Sequence, residues 1–120
     1  MVVGADPIRQ GDIWLVDFSP VLGREQSGRR PALILSRNEH NAHSGVITVA
    51  PLTSSMTMQN HPAAVHLPAS PLGARVDSLI LVFQLRTIDK IRLERRLYSA
   101  PKDIMERIWR AIEGHFALNK

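Results

Sequence analysis

Only one stretch of this chain can form a long amphipathic helix, and it lies at the C-terminal end. Ile104, Ile108, Ile112 and Phe116 recur every four residues, with Met105 and Trp109 beside them, so a helix over 101–118 presents a single apolar face. Ser99 or Ala100 is expected at the N-cap, and Pro101 stands in the first turn, where a missing N–H costs nothing. One such helix cannot make a core by itself. Its apolar face needs a partner layer, and everything upstream reads as short β-strands.

Gly11-Asp12 opens the first of these, a run over 13–18 in which Ile13 and Leu15 alternate with Trp14, Val16 and Phe18. A strand over 31–36 begins on its proline, the position where proline is tolerated. Further strands are expected over 46–52, with Pro51 at an end or a bulge, over 63–67, and over 78–85 as one buried run. Residues 86–97 hold one or two more. The segments 21–29, with Gly23 and Gly28, and 53–62 read as loops, and 37–45 as a polar connection. Residues 1–10 form a short mobile tail and 11–120 a single domain. The expected fold is mainly β: a small SH3-like barrel of five to seven strands with the C-terminal helix as its lid.

Composition narrows the chemistry. With no Cys among 120 residues there is no disulfide framework, thiolate nucleophile or Cys-ligated zinc, a pattern that fits a reducing cytoplasm. No apolar run approaches the roughly 18 residues needed to span a bilayer, and the first residues lack the layout of a signal peptide, so no membrane role is expected. The net charge of +4 is weak evidence alone, but it is unevenly placed. Arg24, Arg29, Arg30 and Arg37 face only Glu25 within 24–37. Arg86, Lys90, Arg92, Arg95 and Arg96 face Asp89 and Glu94 within 86–96. Two basic islands could flank a phosphodiester groove, or simply be solvated faces.

No nucleophile elbow or phosphate-cradling glycine loop occurs. His40 with His43, and His61 with His66, invite a metal reading, but no third ligand stands at a suitable spacing, so no metal or other cofactor is expected. A two-histidine ribonuclease is chemically reasonable, yet no pair is pinned together by sequence. His66 reads as a strand-surface residue and His115 as a helix-end one. What remains is arginine beside hydroxyl and amide groups at strand ends: Arg30 at the start of one strand, Thr53 and Ser54 past another, Gln84 and Arg86 around the end of a third. That set suits phosphate, because a guanidinium forks onto the non-bridging oxygens and hydroxyls complete the donors.

The run Gly11-Asp12-Ile13-Trp14, then Pro20, Gly23, Glu25-Gln26, Arg30-Pro31-Ala32-Leu33, Pro51-Leu52-Thr53-Ser54 and Gln84-Leu85-Arg86-Thr87-Ile88-Asp89, resembles the MazF/PemK/Kid toxin family. No single motif decides this; their order and spacing together do. The resemblance implies a homodimer of PemK-like, SH3-like barrels that cuts single-stranded RNA, mRNA included, at short motifs in a groove at the dimer interface. It implies a cognate antitoxin whose tail occupies that groove, and operator DNA as a further partner of the toxin–antitoxin complex. By position it carries Arg30 and Thr53 over as catalytic residues, Gln84 as a residue lining the substrate site, and Glu25 as part of a loop folding over substrate. Ser54, Arg29 and Arg86 join the substrate-binding set from their places beside these. Where the family often has Glu before that Gln, this chain has Phe83, which could stack on a base. The implied chemistry is metal-independent attack by the ribose 2′-OH, giving a 2′,3′-cyclic phosphate and a 5′-OH end. Glu25 and a substrate-assisted route both stay open for the general base. Two other readings compete: a toxin of this fold that poisons DNA gyrase without chemistry, and a nucleic-acid-binding barrel that does not cleave.

Overall fold

The computed structural model describes residues 6–20, 23 and 28–118. Its elements in chain order are β1 (Asp12–Asp17), β2 (Arg29–Ile34), α1 (Asn38–His43), β3 (Val46–Thr53), β4 (Ala64–Leu67), β5 (Ser78–Leu81), β6 (Arg86–Asp89), β7 (Leu93–Ser99) and α2 (Lys102–His115). Short 3₁₀ turns over Val82–Gln84 and Lys90–Arg92 flank β6. The expected mainly β chain with one long C-terminal helix is what forms. Ahead of β1, Ile8 packs on the core and Gln10 donates from its backbone to Asn38 Oδ1 and from its side chain to Leu35 O. Ordered structure therefore starts before Gly11, inside the expected tail. Gly11 itself has φ +91°, a conformation that favours glycine.

The strands form one antiparallel sheet in the order β4-β5-β3-β2-β1-β7, with β6 also on β3. Closure by hydrogen bonds, as a strict barrel requires, is not observed among the described residues: the path ends at β4 and β7. Instead α2 lays Ile104 and Ile108 onto the face that also holds Val65 and Leu67 of β4, with Leu97 and Tyr98 of β7 against the same core. A second core on the other face joins Trp14, Val16, Phe18, Ala32, Ile34, Ile47, Val49 and Ile88. Two cores explain why β1, β2 and β3 read as apolar on both sides. Along the β1–β7 seam Arg96 Nε and Ser99 Oγ both donate to the buried Asp12 carboxylate, at 2.9 and 2.6 Å.

Three local expectations are corrected. The polar connection over 37–45 contains helix α1, because buried Asn41 donates from Nδ2 to Ser36 O and accepts from Ser36 Oγ, tying the turn to the end of β2. Pro101, not Ser99 or Ala100, caps α2. The third concerns the run over 78–85, which splits. Leu35 N donates to Thr48 O, so the even residues of β3 face β2 and the odd ones face β6 and β5. Pro51 thus turns its missing N–H toward the edge where β6, in register up to Val49↔Arg86, gives way to β5, in register from Leu52↔Ile80. With no donor there, the partner strand departs into the Val82–Gln84 turn.

Candidate active site

The same proline chemistry opens the β2–β3 seam. Residues 31, 33 and 35 of β2 point their backbone groups toward β3, so Pro31 removes the donor that would face Leu52. The ladder accordingly stops at Ala32↔Pro51. Continuing that register by two residues sets Arg30 across from Thr53, where the strands part. Arg30 is also in register with Val16, and Arg86 with Val49, two residues of the second core. Cross-strand partners share a face. Arg30, Thr53 and Arg86 therefore project on one side of the sheet, from three different strands.

Burial and hydrogen bonding refine this. Arg30, Gln84 and Arg86 are half-buried, and Arg86 Cζ lies 5.7 Å from the ring centroid of fully buried Phe18, a cation–π contact. Thr53 is 9% exposed, and its Oγ1 accepts from Ser55 N at 3.1 Å. Thr53 thus serves the turn as an acceptor, which leaves the hydroxyl its own proton to donate. Ser54 beside it is exposed. Gln84 ends the 3₁₀ turn two residues before Arg86, so the departure at Pro51 sets it just ahead of β6.

The remaining expected site residues fall elsewhere. Arg29 alternates with Arg30 and so points to the other side of the sheet, where its Nε donates to Glu94 Oε2 at 2.7 Å. That hydrogen bond and charge push the Arg29 guanidinium above its ordinary value. Its strand partner Asp17 is held below the usual carboxylate range, chiefly by the Ser19 N–H. Phe83 stacks on His61, with ring centroids 3.9 Å apart and planes at 21°, and packs on the helix-side core. Glu25 lies outside the described residues. Arg92, read in the sequence only as part of a basic island, donates from Nη1 to Asp17 O and Ser19 O, a contact no spacing rule signals. Of the histidines proposed as ligands, His40 bonds Val46 O and His66 pairs with Asp77. Among the described residues no three His, Asp or Glu side chains gather where one ion could bind them.

Residues 9–116 match the model of the PemK-like, MazF-like toxins of type II toxin–antitoxin systems. The chain belongs to this family. It is 34% identical over 111 residues to the endoribonuclease EndoA of Bacillus subtilis (strain 168), covering 92% of this chain and 96% of that one. It also resembles the crystal structure of MazF from Deinococcus radiodurans, at 31% identity and a TM-score of 0.81, covering 93% and 98% of the two chains. The MazE–MazF structure from the same organism matches at 31% identity and a TM-score of 0.77, covering 95% and 99%. For this PemK/MazF-type toxin the similarity runs through both cores and through the β2–β3 seam that carries Arg30 and Thr53.

Proposed function

We infer that this chain is the endoribonuclease toxin of a type II toxin–antitoxin pair, that it acts as a homodimer restrained by a cognate antitoxin, and that it cuts single-stranded RNA without a metal ion. The observation that supports this most is that Arg30 and Thr53 stand across from one another at the parted seam, with Arg86 projecting from the same face of the sheet. A guanidinium fork, a hydroxyl and a second guanidinium match a phosphodiester whose charge rises during reaction. The endoribonuclease EndoA and the MazE–MazF complex among its relatives support the activity and the antitoxin partner.

In this reading the 2′-oxygen of one ribose bonds to the adjacent phosphorus as the bond from phosphorus to the 5′-oxygen breaks. The products are a 2′,3′-cyclic phosphate and a 5′-OH end. Arg30 stabilises the dianionic phosphorane, and its guanidinium stands ready to supply a proton to the departing 5′-oxygen. Thr53 donates to a non-bridging oxygen and holds the phosphate in line. The proton of the 2′-OH goes to Glu25 or to a phosphate oxygen of the substrate itself. Arginine is too basic to serve as that acceptor. Gln84, Arg86 and Ser54 supply donors around the substrate. Phe83, engaged with His61 on the helix side, acts at a distance from the cleaved bond.

The test is incubation of purified protein with a long single-stranded RNA in EDTA, beside Arg30→Ala, with the ends mapped. Discrete cuts bearing 5′-OH ends, absent with the variant, are expected. Intact RNA with the wild type would overturn the reading.

A further inference from the structure

We propose that the groove between α2 and β4 is a second phosphate-binding stretch for the RNA, holding nucleotides that flank the cleaved bond; this deepens the ribonuclease reading and rests on it. The groove encloses about 330 Å³, with Pro62, Ala64 and His66 on one side and Arg107, Arg110 and Ala111 on the other. Arg107 and Arg110 are three apart on α2 and so share a face, while the small Ala64 and Ala111 leave room between the walls. Three carboxylates stand nearby: Asp103 is one helical turn before Arg107 and lines the neighbouring groove with it, and two others bear on His66 and Arg110. Asp77 accepts from His66 at 3.3 Å, and Glu106 lies 3.9 Å from Arg110, too far for a firm bond.

Register connects this groove to the seam. Thr53 pairs with Leu79, and Leu79 pairs with His66, so Thr53 and His66 stand in one row across the sheet and on one face. Two strand spacings separate them, about 10 Å, and Arg30 stands one strand further along the row. The connection that leaves Thr53 and re-enters at β4 exposes Ser54, Ser55, Thr57, Gln59 and Asn60. From 51 to 76 the chain has no Asp or Glu. A polyanion leaving Thr53 therefore meets hydroxyls and amides, then the His66 imidazole, then two guanidiniums, with no carboxylate on the connection to repel it. The stacked His61 and Phe83 rings stand at the end of the same connection. Two guanidiniums, with a ring pair at the end of the connection and in continuity with a phosphate site, fit single-stranded nucleic acid better than an acidic peptide.

The test uses 2′-O-methyl oligoribonucleotides, which lack the attacking hydroxyl and so stay whole. Binding of a short and a longer one is followed by fluorescence anisotropy over a range of salt, for the wild type and Arg107→Ala/Arg110→Ala. Arg110 is well exposed, and circular dichroism checks that α2 is retained. The variant should bind the longer oligonucleotide several-fold more weakly, with the loss small for the short one. The salt slope should fall by about 0.7 for each phosphate contact removed, so by about 1.4 for both arginines. Equal affinity and slope for the two proteins would overturn the proposal. So would a variant that loses binding to polyglutamate while binding RNA unchanged, since the groove would then serve an acidic protein. Wild type that leaves RNA uncut in EDTA would instead remove the ribonuclease reading, a result the anisotropy experiment does not produce.

Discussion

Arg30 and Thr53 show how little a site residue needs from its own neighbours. Each is placed by where a ladder ends, and in the proposed reaction each donates to charge that exists fully only in the transition state. Arg30→Ala and Thr53→Val should each lower the rate of RNA cleavage by roughly 10²–10³-fold with the fold retained, as single-turnover kinetics on one RNA would show. Thr53→Ser, which keeps the hydroxyl, should recover most of that loss; a serine variant as slow as valine would show that the hydroxyl is not what the reaction uses. Asp77 carries a separate expectation. The Ala69 N–H and His66 hold its carboxyl below the ordinary value, so its contribution is fully present above the unfolded-state pKa and lost as pH falls through the lower folded value. NMR titration should show this carboxyl protonating at lower pH than an ordinary aspartate, and Asp77→Asn should remove that acid-side dependence.

At the scale of elements, α2 was the most legible part of the sequence because its signal is local: a repeat of four in apolar residues. Its buried Ile108 fastens the helix to the sheet, and Ile108→Ala should cost about 2–5 kcal/mol in urea unfolding. The helix stops at His115 rather than 118 because Leu118 N donates to Glu113 O and Ala117 N to Gly114 O, with Ala117 at φ +55°. This is the pattern in which glycine is preferred. Ala117→Gly should therefore raise stability by about 0.5–1 kcal/mol, read as a higher urea midpoint at unchanged slope. The run over 78–85 was legible as buried but not as broken. Its break depends on Pro51, whose neighbours in the sheet are remote in sequence. Helix α1 was hidden for a similar reason, since Asn41 is buried by Ser36 and the end of β2 rather than by any periodic apolar face.

For the whole molecule, the sheet is shut by a helix rather than by a last ladder, and that leaves an α2–β4 groove at the β4 edge, at the end of the row of residues that runs across the sheet from Thr53. The excess of lysine and arginine over carboxylates, net +4, matters less than its placement. Sedimentation of the purified chain should show a species of two copies at micromolar concentration. A monomer that still cleaves RNA would mean that one chain completes the site.

The sequence by itself determined the mainly β class with its one long C-terminal helix, the missing thiol chemistry, and the residue types suited to phosphate. Those are local properties: apolar repeats of two and of four, proline at strand ends, and arginine beside hydroxyl groups. Only the tertiary structure decided that Arg29 and Arg30, adjacent in the chain, serve opposite faces, and that Phe83 is spent on His61. It alone set Arg30 across from Thr53, and Thr53 in a row with His66. Strand register comes from contacts between distant segments, and no spacing within one segment encodes which of them will meet.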